Sequence, residues 1–341
     1  MIIDAHGHYT TGPAKLQEYR ESQLAGRGAD FTGQPVSTPL ISDDEIRESI
    51  ELNQLRVLRE RGTDLMLISP KASAMGHHVD DRSSAVAWAR VNNDLIHRVA
   101  SMFPSHFAAV CQLPQTPSGP VDDAISELRR CVDEMGFVGC NLNPDPSGGQ
   151  WNGVPMTDEY WYPLYEAMVE LDVPAMIHVS ASRNPNFHTL GAHYLNADTA
   201  VFMQLVEGDL FGRFPGLRFV LPHGGGAVPY HWGRFRGLSD RLRRPDLSHV
   251  LPNLYFDTCV YHPAGIELLL NTVDNEHVLF ASEMLGAVPD GRNPDTGAFW
   301  DDTKRYVDEL ELSPTTSGRI FELNARAAYP RLDVLLRSQG R

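Results

Sequence analysis

Short apolar runs alternate with longer amphipathic stretches along the whole chain. Eight of these runs have the length of a strand, and several are apolar at nearly every position, as expected of parallel strands buried on both faces. The predicted strands are Ile2–Ala5, Asp64–Ser69, Phe107–Cys111, Val138–Leu142, Ala175–Val179, Arg218–Pro222, Leu254–Asp257 and Val278–Ala281. The pattern thus predicts eight strands separated by helical segments.

The segments between the strands carry recognisable helix starts and stops. Ser42-Asp-Asp-Glu45 is a capping box, which predicts a helix that continues to about Arg61 and stops at Gly62. Helices are also predicted over Asp122–Met135, where Gly136 follows, over Tyr160–Leu171 and over Ala197–Leu210.

Eight strand–helix units predict an α/β fold, a single-domain (β/α)8 TIM barrel over residues 1–341. The alternative is an open, doubly wound parallel sheet. Two long loops interrupt the pattern, Thr10–Leu40 after the first strand and Asn143–Pro155 after the fourth. Loops of this length in a compact domain are usually lids or binding segments.

Composition narrows the class of function. The chain of 341 residues has a net charge of −15 and no dense basic stretch, which argues against nucleic acid or an anionic membrane as partner. No apolar run approaches the roughly 18 residues of a membrane helix. The start, MIIDAHGHY, lacks the basic and apolar regions of a signal peptide, so we expect a cytoplasmic protein. The four cysteines form no CxxC pair and are expected to be reduced and buried.

Polar side chains stand at the carboxyl ends of several predicted strands, where barrel enzymes build their active sites. His6 and His8 follow strand one, His178 ends strand five, and Glu283 follows strand eight. Residues two apart on a strand face the same side, so His6 and His8 can hold one ion. Three imidazoles and a carboxylate suit Zn²⁺ and are compatible with Mn²⁺, Fe²⁺ or Co²⁺. Together these residues predict one divalent metal ion.

Two further strand ends add candidate chemistry. His223 opens a run of three glycines after strand six and is placed to act as acid or base, or as an occasional metal ligand. Asp257 ends strand seven and could orient a histidine, although an ordinary strand-end carboxylate would look the same.

These motifs resemble the amidohydrolase superfamily, and more narrowly the branch that contains aminocarboxymuconate-semialdehyde decarboxylase. Longer stretches are similar to the 4-oxalomesaconate hydratases of bacterial gallate and protocatechuate breakdown, among them IIDAHGHYT, GFVGCNLNPDPSGG, LPHGGGAVPYHWGRFRGL, YFDTCVYH and FASEMLGAV. Most superfamily members have Asp after strand eight. Glu283 is the exception here, and the hydratases share it.

The resemblance implies a lyase that reversibly adds water across the activated C=C bond of 4-oxalomesaconate to give 4-carboxy-4-hydroxy-2-oxoadipate. Glu283 would then carry a proton to or from carbon, with His223 as its partner. A tricarboxylate substrate requires cations and hydrogen-bond donors around it. The candidates for this role are Lys71, Ser73, Asn143, His193, Tyr194 and Arg234, with Arg183 and Arg236 nearby.

Other functions stay open on the sequence alone. The first alternative is a metal-dependent decarboxylase of an aromatic or muconate-type acid on the same scaffold, and the second is a hydrolase of the superfamily. A barrel retained only for binding is a third, which the complete set of histidines argues against. The resemblance also implies a homo-oligomer, for which a dimer is the expectation.

Overall fold

The computed structural model describes residues 1–25, 38–188 and 192–341, and within them it forms a barrel of eight parallel strands. The strands pair in chain order, each with the next. They are β1 Ile3–Tyr9, β2 Leu65–Pro70, β3 Phe107–Gln112, β4 Gly139–Leu142, β5 Ala175–Ile177, β6 Phe219–Leu221, β7 Leu254–Asp257 and β8 Val278–Leu279. All eight predicted strands are confirmed, and their ends differ from the predicted ones by a few residues.

Backbone hydrogen bonds also join the first strand to the last. The amide of Ala5 donates to the carbonyl oxygen of Phe280, and the amide of Glu283 donates to that of His6, each over 2.9 Å. Both acceptor–donor pairs involve the segment that continues β8. The fold is therefore the predicted (β/α)8 TIM barrel and not the open doubly wound sheet.

Helices surround the strands. They are α1 Ala14–Ala25, α2 Asp43–Leu52, α3 Gln54–Glu60, α4 Arg82–Met102, α5 Asp122–Arg129, α6 Tyr162–Leu171, α7 Tyr194–Glu207, α8 Leu210–Arg213, α9 Trp232–Arg241, α10 Pro263–Thr272, α11 Thr303–Asp308, α12 Pro314–Gly318, α13 Asn324–Ala328 and α14 Pro330–Ser338. Single 3-10 turns lie at Ala72–Ala74, His77–Val79, Glu159–Trp161, His223–Gly225, Pro245–Leu247, Leu251–Asn253 and Asn275–His277. Single π turns extend α5 and α12 at Arg130–Glu134 and Arg319–Leu323.

The predicted capping box is confirmed, but the helix that it starts is not continuous. The Ser42 side chain accepts from the Glu45 amide, and the Glu45 side chain accepts from the Ser42 amide. Asn53 has φ −123° and ψ −95°, which interrupts the helix between α2 and α3. No sequence rule for helix ends marks this break, because Asn53 is followed by further helix-forming residues.

The predicted loop Thr10–Leu40 is partly wrong, since α1 lies inside it. Residues 26–37 of that loop lie outside the described part of the chain. The loop after β4, Asn143–Pro155, has no helix or strand, as predicted. All four cysteines are free and buried, also as predicted. No helix in the described ranges combines the length and the apolar character needed to cross a membrane.

Two apolar layers fix which strand residues face the barrel interior. One layer packs strands against the outer helices, and the other fills the barrel from inside. Ile3, Met176, Tyr255 and Leu279 belong to the inner layer. The inner layer continues into α13 and α14, whose residues Ala325, Ala328, Tyr329, Leu332 and Leu336 close one end of the barrel. The opposite end, at the carboxyl ends of the strands, carries the polar residues.

Candidate metal centre and active site

Strand alternation aims the predicted ligands into the barrel. His178 follows the inward-facing Met176 by two residues, Asp257 follows Tyr255 by two, and Glu283 follows Leu279 by four. Side chains at even spacing on a strand share a face, so all three point inward. The interior layer thus changes from apolar to polar toward the carboxyl end of the barrel.

A β-bulge gives His6 and His8 the same direction. The register between β1 and β2 shifts between Asp4 and Gly7, which inserts one extra residue in β1. Both imidazoles consequently face the interior beyond Ile3. Gly7, between them, faces outward against Met66, where a Cβ atom would lie only 2.3 Å from Sδ. The glycine in the motif HGH is therefore explained by packing.

The imidazole nitrogens meet at distances that one metal ion requires. Nε2 of His8 lies 3.1 Å from Nε2 of His6 and 3.2 Å from Nε2 of His178. Oε1 of Glu283 lies 3.9 Å from Nε2 of His8. Ligand nitrogens about 2.0–2.1 Å from one Zn²⁺ are about 2.9 Å apart at a right angle and about 3.3 Å apart at the tetrahedral angle. Any two ligands of that ion lie at most about 4.2 Å apart, so the set fits a single ion.

The outer nitrogens of the three rings are held by groups that leave the inner nitrogens free to bind a cation. Nδ1 of His6 donates to Oδ2 of Asp257 over 2.8 Å, and Nδ1 of His178 donates to the carbonyl oxygen of Val179 over 2.9 Å. Nδ1 of His8 lies 2.7 Å from the Ser69 hydroxyl. Because the carboxylate and the carbonyl can only accept, Nε2 of His6 and His178 carries a lone pair in the neutral ring.

The electrostatic surroundings keep these rings in the form that binds metal. Burial, and then the neighbouring His6 and His223, lower the pKa of His8 well below its ordinary value. Burial and the other three rings likewise lower the pKa of His178. Neutral imidazoles are the metal-binding form, and converging lone pairs repel one another unless a cation lies between them. The residues present therefore fit a divalent ion.

His223 lies beside the centre but in a different charge state. Its Nδ1 contacts Oδ2 of Asp198 over 2.9 Å, and its Nε2 lies 3.9 Å from Oε2 of Glu283. Burial lowers the pKa of His223, but Asp198, then Glu283 and Asp257, raise it overall to about 9. Burial raises the pKa of Asp198 to about 6, against the lowering effect of His223. At neutral pH the two residues form an ion pair, and a protonated ring is a proton donor and not a ligand.

Three of the histidines, His6, His178 and His223, also form with Glu283 a group whose ligand atoms all lie within 4.8 Å of one another. His223 and Glu283 both have backbone angles in the left-handed region, with φ of 53° and 48°. Such angles are unusual for residues other than glycine, and strain of about 1–3 kcal/mol of this kind concentrates at functional sites.

A cavity of about 180 Å³ opens next to the centre. Three of the predicted substrate-binding residues line it, namely Lys71, Ser73 and Tyr194. The Tyr194 ring stacks on His223 at 5.6 Å between ring centroids, and Ser73 hydrogen-bonds the Tyr194 side chain. The other lining residues are His8, Thr10, Ala72, His178, Glu283, Gly286 and Ala287.

The structure does not bring the other three predicted binding residues to this cavity. Asn143 is buried and already bonded, with its amide nitrogen 2.8 Å from Nδ1 of His77 and its side-chain oxygen accepting from the Asp145 amide. His193 is buried against the rings of Phe187 and Tyr194. Arg234 is exposed on α9, and Arg183 and Arg236 are exposed as well.

Several residues at the site were not predicted from the sequence. Ser69 supports His8, Asn141 donates to the Ser69 hydroxyl over 3.0 Å, and Asp198 pairs with His223. Ser69 and Asn141 end strands and face inward, so strand alternation could have indicated them. Asp198 lies on α7 and carries no local signal, because only the packing of α7 brings it to His223.

Asp257 orients His6, and its replacement is expected to weaken metal binding without abolishing it. In Asp257→Asn we expect metal affinity to fall by about 10- to 100-fold, the usual effect of losing a carboxylate behind a ligating histidine. Competition with a chelator of known affinity measures the change. Asp172→Asn is the control, since Asp172 pairs with Arg218 on the surface and has a left-handed φ that Asn tolerates. Native affinity in Asp257→Asn would contradict the assignment.

Comparison with known proteins agrees with this geometry. The model of the family described as "Amidohydrolase" matches residues 3–331. The chain is 58% identical to the 2-keto-4-carboxy-3-hexenedioate hydratase of a Sphingobium strain, over 100% of this chain and 99% of that protein. It is 33% identical to the gamma-resorcylate decarboxylase of Rhodococcus jostii, over 80% and 87% of the two chains. The crystal structure of 4-oxalomesaconate hydratase from Rhodopseudomonas palustris has 52% identity and a TM-score of 0.92, with 100% and 99% of the chains covered. With its inward histidines, its barrel and this match over nearly the whole chain, the protein belongs to the amidohydrolase family.

Proposed function

We propose that this protein is a metal-dependent hydratase that adds water to a C=C bond of a seven-carbon tricarboxylate and gives 4-carboxy-4-hydroxy-2-oxoadipate. The observation that carries the proposal is the 58% identity to a hydratase over the whole chain. The cavity supports it chemically, because it places Lys71 next to the candidate metal centre and Glu283. An anionic substrate can thus be bound beside a carboxylate that moves a proton.

The substrate names of the two hydratase relatives describe isomers. In hexenedioate numbering, 2-keto-4-carboxy-3-hexenedioate has its double bond between C3 and C4, conjugated with the ketone at C2. In 4-oxalomesaconate the double bond lies between C4 and C5, next to the distal carboxylate. Water adds its oxygen to C4 in both isomers and gives the same tertiary alcohol. The proton goes to C3 in the first case and to C5 in the second.

We propose one divalent ion as cofactor, held by His6, His8, His178 and Glu283, with Zn²⁺ as the first choice and Mn²⁺, Fe²⁺ or Co²⁺ compatible with the same ligands. When bound, such an ion polarises a substrate oxygen or lowers the pKa of a water from about 15.7 toward about 7.

The protein's own residues have separate tasks in this scheme. Lys71, Ser73 and Tyr194 bind and orient the substrate's carboxylates. Glu283 carries the proton to or from carbon, since its Oε2 is the oxygen that faces away from His8. The His223–Asp198 ion pair donates a proton or a hydrogen bond to the oxygen on which negative charge develops.

The decisive experiment follows both isomers by NMR with the purified, metal-loaded enzyme in D2O. Formation of 4-carboxy-4-hydroxy-2-oxoadipate supports the hydratase. Deuterium at C3 or at C5 then identifies the isomer that reacts. Release of CO2 with no tertiary alcohol would instead identify a decarboxylase, the activity named for the Rhodococcus jostii relative.

Lys71 is expected to read a substrate carboxylate. In Lys71→Met we expect kcat/KM to fall by at least about tenfold, the effect of one lost charge-assisted hydrogen bond. Steady-state kinetics measure this, with Arg234→Met alongside. Arg234 is exposed on α9 and outside the cavity wall, so the described geometry predicts native kinetics for its variant. An equal loss in both variants would show that Arg234 reaches the substrate after all, and unchanged kinetics in Lys71→Met would remove Lys71 from the site.

The partner that the site supports is a small polycarboxylate. Assembly into a dimer stays a prediction, which the molar mass measured by light scattering in solution tests directly.

A further inference from the structure

The segment that follows β7 contacts two of the candidate metal ligands. Asp257 accepts from His6 through Oδ2, while its Oδ1 accepts from the Cys259 amide over 3.0 Å. Two and four residues further on, Cys259 and Tyr261 contact Glu283. One short stretch of chain thus supports ligands that come from β1 and from the end of β8.

The two oxygens of Glu283 have different surroundings. Oε1 lies on the side of His8, at 3.9 Å from Nε2. Oε2 accepts from the Tyr261 hydroxyl over 3.3 Å and from the Cys259 thiol over 3.6 Å, and it faces Nε2 of His223. Donors on Oε2 compete with a cation for the same lone pairs. They therefore favour coordination through Oε1 alone.

Two further observations on Tyr261 point to a specific role for its hydroxyl. Its φ is 59°, an angle rare for an aromatic residue and typical of sites where the surrounding structure imposes the conformation. Burial, with the nearby Cys259 and Glu283, raises the pKa of Tyr261 well above its ordinary value, so the hydroxyl keeps its proton and stays a donor. Burial and the same carboxylate raise the pKa of the Cys259 thiol as well.

We propose that Tyr261, assisted by Cys259, is a positioning residue that keeps Glu283 on the metal ion through one oxygen and holds the other oxygen toward the substrate for proton transfer. The kinetic part of this inference rests on the proposed hydratase function. Its structural part, coordination through one oxygen, does not. The thiol is the weaker donor of the two, so the hydroxyl makes the larger contribution.

Tyr261→Phe tests the proposal, because it removes the hydroxyl and keeps the ring. We expect the variant to retain one ion per chain and a native KM, while kcat falls about tenfold, in proportion to one hydrogen bond to a charged group. In the cobalt-loaded enzyme we expect weaker visible absorption, since Glu283 is then free to bind through both oxygens and a higher coordination number lowers the intensity. The spectrum needs no substrate.

Tyr165→Phe is the matched control. Its hydroxyl is also buried and donates to the Met156 carbonyl oxygen over 2.6 Å, far from the centre in the packing of α6. This variant is expected to keep the native kcat and the native cobalt spectrum. Cys259→Ala is the second test variant, with a change of the spectrum in the same direction as Tyr261→Phe but smaller. It decides the question if Tyr261→Phe does not fold.

The outcomes separate this inference from the proposed function. An unchanged cobalt spectrum in a folded Tyr261→Phe enzyme would overturn the inference, whatever the activity. A changed spectrum in an enzyme that hydrates neither isomer would support the positioning role and refute the hydratase assignment. Native kcat together with a changed spectrum would overturn the kinetic part, since proton transfer would then not depend on how Glu283 is held.

Discussion

The His178→Ala variant is expected to lose metal and activity together. His178 supplies the only ligand that comes from β5, and its Nε2 lies 3.2 Å from that of His8 at the centre of the set. Without it the coordination sphere is incomplete, and an affinity that depends on all four ligands falls sharply. Activity should drop by at least about a thousandfold, because a metal ion contributes several kcal/mol to the barrier in such reactions.

Elemental analysis of the purified variant, with rates measured before and after added metal, tests this prediction. His249→Ala is the control, since His249 is a partly buried histidine that contacts the Val206 carbonyl oxygen away from the centre. It should keep its metal and its rate. One tightly bound ion per chain in His178→Ala, with native activity, would show that the centre lies elsewhere. Chelator-treated native enzyme should match the His178→Ala rate and recover when metal is returned.

The Glu283→Gln variant is expected to separate metal binding from proton transfer. The amide keeps the size of the side chain and one oxygen for the ion, but it cannot accept a proton from carbon. We expect the variant to retain its metal and to bind substrate, while kcat falls by roughly 10²- to 10⁴-fold, the usual contribution of a general acid–base group. The substrate's acidic C–H should also stop exchanging with D2O.

NMR of the substrate's exchange in D2O is the sharper of the two measurements, because it reports proton transfer even when net hydration is slow. Glu283→Asp is the companion variant, since it keeps the carboxylate but shortens its reach by one carbon. We expect it to exchange more slowly than the native enzyme and faster than Glu283→Gln. A Glu283→Gln enzyme that keeps its metal and exchanges at the native rate would assign the proton to another group. His223, 3.9 Å from Oε2, is the next candidate.

Much of the active site could be located from strand ends alone. In a parallel barrel all carboxyl ends lie on one rim, so His6, His8, His178 and Glu283 had to be neighbours once the eight strands were recognised. The two-residue spacing of His6 and His8 also predicted their common direction. The β-bulge that permits this, next to an inward-facing Ala5, is not visible in the sequence.

The substrate-binding residues were harder to predict, because each depends on how a loop or helix packs. Lys71 and Ser73 directly follow β2, and Tyr194 starts α7; all three line the cavity. Asn143 also follows a strand, but its amide is held by His77 and Asp145. A residue's position after a strand predicts the rim on which it lies, and not whether its side chain faces the substrate.

The sequence by itself determined the barrel, the rim on which the chemistry lies and the ligand types, because strand alternation and strand order are local properties that periodicity records. Only the tertiary structure decided the contacts that tune these groups. Asp198 reaches His223 from α7, and Tyr261 reaches Glu283 through a left-handed turn after β7. Such contacts join residues far apart in the chain, or require a backbone angle that no side-chain pattern announces. They form only when strands and helices pack together.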